Sequence, residues 1–138
     1  MSIVFKMISP EDVDSVWEAA GALIDKAIKY CNGETNLDHI LKDLRKGDRK
    51  LATICDNGEM IAAIILSMSV FPEKKVCHIS LVGGIRMEEW CDRGLPTIEI
   101  IAREAGADAV RIQGRRGWLR RLKAHGYDEI ATVIGKDL

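Results

Sequence analysis

The chain is 138 residues long, 47% hydrophobic and 30% charged, which fits one globular domain with its own core and excludes disordered, collagen-like and low-complexity classes. Its longest apolar run, residues 60–66, falls well short of the roughly 20 residues that a membrane-spanning helix needs. Lys and Arg number 20 against 21 acids, for a net charge of −1, so overall charge points neither to nucleic acid nor to a membrane surface.

The opening residues 1–6 have neither the basic stretch nor the long apolar run of a signal peptide. Cys31, Cys55, Cys77 and Cys91 form no Cys-x-x-Cys pair. The reading is therefore a cytoplasmic chain with reduced thiols, some of them small core residues. Residues 3–8 are rich in β-branched side chains and predict a first strand. Ser9-Pro10-Glu11-Asp12 then has the residue types of a helix start: a capping Ser, a Pro suited to the first turn, and acids at the positive end of the dipole. Val13, Val16, Trp17, Ala20, Leu23, Ile24, Ala27 and Ile28 recur at helical spacing, which predicts one helix with a buried face running to Asn32-Gly33.

A second helix is expected from Asn36, with Leu37, Ile40, Leu41 and Leu44 as its stripe and Gly47 as its stop. The period then changes. Residues 51–55 predict a strand, and Asp56-Asn57-Gly58-Glu59 a tight hairpin turn of type I′, which needs positive φ. Residues 60–71 predict a long strand too apolar for a wet face, and residues 76–82 the next strand of the meander. Gly83-Gly84 ends it. A helical segment follows over about 87–105, with Gly94 and Pro96 expected to kink or split it. A strand at 109–112, a helix at 118–124 and a last strand at 130–134 complete the order β-α-α-β-β-β-α-β-α-β. No repeat or linker interrupts it, so residues 1–138 read as one α/β (α+β) domain with a mixed, mostly antiparallel sheet of about six strands.

That order resembles the GNAT (Gcn5-related N-acetyltransferase) family. Its most specific local part is the stretch from Val110 to Tyr127, a strand, a polar turn, a helix and a closing Gly126-Tyr127 pair. The same stretch, with the turn Gly114-Arg115-Arg116-Gly117-Trp118, also resembles degenerate GNAT-like proteins of tailed bacteriophages, some of which are virion or accessory proteins. The first resemblance implies N-acyl transfer from acetyl-CoA to an amine. It places the cofactor along Leu81, Val82, Gly83 and Gly84, in a gap between splayed strands near Val82 and Val110, with Arg86, Arg115 and Arg116 near its phosphates. The second implies a non-catalytic protein in a virion or host cytoplasm, working through protein contacts.

The chain departs from the family pattern twice. Active members carry Arg or Gln, two residues, Gly, one residue, then Gly or Ala at the strand-to-helix junction, where backbone N–H groups meet the pyrophosphate. Here Val82-Gly83-Gly84-Ile85-Arg86-Met87-Glu88-Glu89 has a different spacing and two acids in the first helical turn. Many members also place a tyrosine four residues before the closing glycine, where this chain has Leu122. Tyr127 belongs to the closing pair and is expected in the core.

His78 and Ser80 share one face of their strand. His78 is the candidate base, because its ordinary pKa lies near neutrality; the alternative is a histidine satisfied by its surroundings. His39 is expected on a polar helix face, and His125 at a helix end capping carbonyls. Cys77 and His78 point to opposite sides of a strand, and no pair has zinc-site spacing, so no metal is expected. Arg111, Arg115, Arg116, Arg120, Arg121 and Lys123 form an acid-free basic segment around Trp118. It reads as a solvated face with Trp118 packed inward, as a phosphate or protein contact, or as a nucleic-acid contact with Trp118 stacking on a base.

Overall fold

The computed structural model describes residues 2–114 and 116–138. Arg115 and the side chain of Arg116 lie outside that description. Five strands form one sheet in the order β1-β2-β3-β4-β5, with β1 at Ile3–Ile8, β2 at Lys50–Asp56, β3 at Glu59–Val70, β4 at Lys75–Gly84 and β5 at Ala109–Ile112. The first four strands pair antiparallel, and β5 joins β4 parallel. A parallel neighbour needs a crossover, and the helix α3 (Met87–Glu104) supplies it.

Two hydrophobic layers sandwich the sheet. On one face Ile8, Val13, Ile24, Ile40, Leu44, Ile65 and Leu81 pack beneath α1 (Val13–Ile28) and α2 (Leu37–Lys46). On the other, Ile54, Ile64, Cys77, Ile79, Trp90, Ile98 and Leu122 pack beneath α3 and α4 (Leu119–Lys123). The alternation of β4 sends Cys77 and Ile79 to the second layer, and so turns His78 toward the α1 side.

The local signals resolve as follows. Pro10–Asp12 is a 3-10 turn, and α1 starts only at Val13 and ends at Ile28, short of the expected Asn32-Gly33. Ser9 does not cap the backbone; its hydroxyl donates to the Asp12 carboxylate. Asn36 does cap α2, accepting from the His39 N–H at 2.8 Å. Asn36→Ala should lower stability by about 1 kcal/mol, read as a shift in the urea midpoint with an unchanged slope. Asn57 and Gly58 both have positive φ, 51° and 84°, as the type I′ turn requires.

Gly94 and Pro96 do not split α3, which is one helix through both. Gly94 is buried, and a Cβ there would stand 3.0 Å from the Trp90 ring, so it serves close packing. Two expectations need correction. The far end of β3 is wet, with Val70 79% exposed. Among the described residues the segment 130–134 forms no strand; Ile130, Val133 and Ile134 are exposed and pair with nothing in the sheet.

Candidate functional site

The parallel ladder between β4 and β5 is short. It runs from Val76 opposite Ala109 to Ile79 opposite Ile112. Beyond Ile79, β4 continues to Gly84 with β3 on one side only. In a strand, successive backbone groups alternate between the two neighbours. Alternate N–H and C=O groups between Ser80 and Gly84 therefore face a side on which no described strand lies. β5 ends at Ile112 with all four of its residues paired to β4, so the expected gap between splayed strands near Val82 and Val110 is not seen among the described residues; Val82 and Val110 both pack against the α3-side core.

A β-bulge sits just beyond the end of the β4–β5 ladder. Ile65 pairs with Leu81 while the next residue, Leu66, pairs with Ile79, so Ser80 is the extra residue. A bulge leaves one residue unpaired, bends its strand and sharpens the local twist. It also holds the Ser80 side chain on the His78 face, where its Oγ lies 3.2 Å from the Ser67 Oγ. Ser67 is the β3 partner of His78. The bulge and Ser67 were missed at the sequence level, because pairing register is a property of two strands and neither strand carries it alone.

His78 is half-buried. Phe71 meets it edge-on, with ring centroids 6.5 Å apart, and Arg111 is its partner across the β4–β5 ladder. The Arg111 guanidinium lies over the same Phe71 ring, 5.7 Å from its centroid. Burial, aided by the positive charge of Arg111, lowers the His78 pKa below its ordinary value. Its imidazole thus favours the neutral form, which can accept a proton.

The glycines of the junction are accounted for by packing. A Cβ on Gly83 would stand 2.1 Å from the Leu23 carbonyl oxygen, because α1 lies directly on β4 there. A Cβ on Gly84 would stand 2.5 Å from the Ile61 carbonyl oxygen. Arg86 follows in the left-handed region at φ 59°. It bonds Asp56 at 2.7 Å and also pairs with Glu89, and its hydrogen bond holds the Asp56 carboxyl below the usual range. The junction N–H groups of Ile85 and Glu89 are taken by the Ile61 and Arg86 carbonyls.

A cleft of about 1040 Å³ follows the free edge of β5 and reaches His78; Glu99, Arg111, Ile112 and Tyr127 are among its walls, and Leu81–Gly84 are not. Tyr127 donates to Glu99 at 2.9 Å, and burial together with that carboxylate raises its pKa far above ordinary. It is a structural hydroxyl, and Leu122 is buried beside the α3 core. His125 does not cap a carbonyl through its ring; its Nε2 meets the Asp92 carboxylate at 2.9 Å. Trp118 packs inward against the α3-side core, with its ring over Gly114. Arg120, Arg121 and Lys123 on α4 form no ion pair among the described residues. No group of three metal-ligating side chains occurs among the described residues, and no helix among them is long and apolar enough to cross a membrane.

The fold, a five-stranded sheet with two helices after its first strand and a crossover helix between its last two, is similar to those of solved acetyltransferases. A GNAT family acetyltransferase from Staphylococcus aureus is 17% identical over 100% of both chains, with a TM-score of 0.66. An acetyltransferase from Trypanosoma brucei is 16% identical, covering 99% of this chain and 100% of its own, at 0.67. An aminoglycoside acetyltransferase from an uncultured soil metagenomic sample is 13% identical, covering 100% and 99%, at 0.71. The fold is that of the GNAT acetyltransferases. No protein-family model and no curated protein matches the chain. Within the GNAT fold, the structure brings His78, Ser80 and the edge from Leu81 to Gly84 together on one strand. It sets Arg86 apart, held between two carboxylates.

Proposed function

We propose that the chain is an acyl-CoA-dependent N-acyltransferase of the GNAT kind, with an amine as acceptor. The observation that carries this reading is the free stretch of β4 from Ser80 to Gly84. A row of strand N–H and C=O groups suits the amide-bearing pantetheine arm, which would lie along it as an added strand does. Bound there, the donor supplies an activated acyl carbon and a thiolate leaving group. The bulge at Ser80 offers backbone N–H groups to the carbonyl oxygen on which charge develops. The acceptor is held on the α1 side, where its neutral nitrogen can reach the acyl carbon. His78 takes the proton that the nitrogen loses as the C–N bond forms. The C–S bond breaks, the electron pair leaves with sulfur, and water can protonate the thiolate.

A second reading rests on the locked Arg86 and on Leu122. It is a non-catalytic GNAT-like protein of the bacteriophage kind, in a virion or host cytoplasm, contacting a protein through the basic segment of Arg111, Arg115, Arg116, Arg120, Arg121 and Lys123.

Thermal unfolding with millimolar acetyl-CoA separates the two. A ligand at a hundred times its Kd should add about 2.7 kcal/mol, with no such shift from ATP at the same dose. Equal melting with and without acetyl-CoA at a saturating dose would end the enzyme reading in favour of the second.

A further inference from the structure

The junction between β4 and α3 is built against a nucleotide diphosphate. Glu88 and Glu89 occupy the first turn of α3, where acids compensate the helix dipole that would otherwise attract a phosphate. The one cation of the junction, Arg86, is held by Asp56 on one side and Glu89 on the other. The Trp90 indole N–H donates to the Ile85 carbonyl at 3.0 Å, and Ile85 and Glu89 have already given their N–H groups to carbonyls. Two of the junction's N–H groups are thus taken, and the acids Asp56, Glu88 and Glu89 outnumber Arg86 there. By contrast, the edge of β4 beyond Ile79 keeps its strand-forming groups free of any described strand.

We propose that the acyl donor is recognised through its pantetheine arm alone. The site then takes pantetheine thioesters that lack the nucleotide about as well as it takes the coenzyme A ester. The chemical class of donor is an acyl pantetheine thioester, whether free, on coenzyme A or on a carrier protein through its phosphopantetheine arm. This inference rests on the acyl-donor reading above.

The test compares acetyl-CoA with S-acetylpantetheine by isothermal titration on the intact chain. Dissociation constants within about threefold of each other are expected. A further expectation concerns Glu88, which is exposed: Glu88→Gln should tighten acetyl-CoA by about twofold to fivefold, since the first-turn charge repels the diphosphate, and leave S-acetylpantetheine unchanged. Acetyl-CoA binding more than about thirtyfold tighter than S-acetylpantetheine would overturn the proposal and leave the enzyme reading standing, with the α4 cations holding the nucleotide. Binding of neither thioester would overturn both. An E88Q chain that binds both esters as the parent does would also overturn it, since the acids would then exert no exclusion. S-acetylated carrier protein as a third ligand distinguishes the sources: binding like that of S-acetylpantetheine marks the free arm as sufficient, and loss of binding on the carrier restricts the donor to small thioesters.

Discussion

Gly83→Val is expected to cost about 3 kcal/mol of stability, which for a domain of this length lowers the melting temperature by about 10 °C. The reason is backbone on backbone. The new Cβ would lie 2.1 Å from the Leu23 carbonyl oxygen and 2.9 Å from the Ile24 amide nitrogen. No rotamer change relieves a clash with main chain, so α1 must lift from β4. That would loosen the layer in which Ile24, Ile65 and Leu81 pack. Gly135→Ala is the matched control: nothing lies within 4 Å of a Cβ there, and its melting point should not move. If Gly83→Val melts with the parent, the close seating of α1 on β4 is refuted.

The second large effect is on catalysis. His78→Gln should lower kcat by about 10²- to 10⁴-fold, the usual contribution of a positioned base. The pH profile identifies the role. Burial and the Arg111 charge hold the folded His78 pKa below its ordinary 6.5, so the acidic limb of the parent profile should fall below that value. Arg111→Gln should move the limb up toward it, and His78→Gln should abolish it. The same depression has a stability consequence. Above pH 6.5 the imidazole is neutral in both folded and unfolded chains and its contribution is fully present; as the pH falls toward the folded pKa, the unfolded chain takes the proton first and that contribution is lost. A limb unchanged in both variants would assign the proton to another group.

Much of this architecture is legible in the chain because it is locally encoded. The three- and four-residue spacing from Val13 to Ile28 and from Leu37 to Leu44 specifies two helices with single buried faces, and both appear. Asn57-Gly58 specifies its hairpin because only residues tolerant of positive φ close it. The helix α3 runs through a proline because burial of Trp90, Leu95 and Ile98 on one side outweighs a lost hydrogen bond. At 130–134 the β-branched composition suggests a strand, but a strand exists only with a partner, and none of the described strands pairs with it.

The candidate site divides in the same way. The sequence by itself determined the order of elements from β1 to α4, an order that resembles the GNAT fold. It also determined the placement of His78 and Ser80 on one strand and the acids at the start of α3. All of these follow from local periodicity and from the charge of neighbouring residues. Only the tertiary structure decided that Ser80 is a bulge, that β4 runs on past β5, that Gly83 admits α1, and that Arg86 is held by Asp56 thirty residues away. Each of these depends on the register or approach of segments distant in the chain. That information is carried by the packing of one element on another, which no local pattern contains.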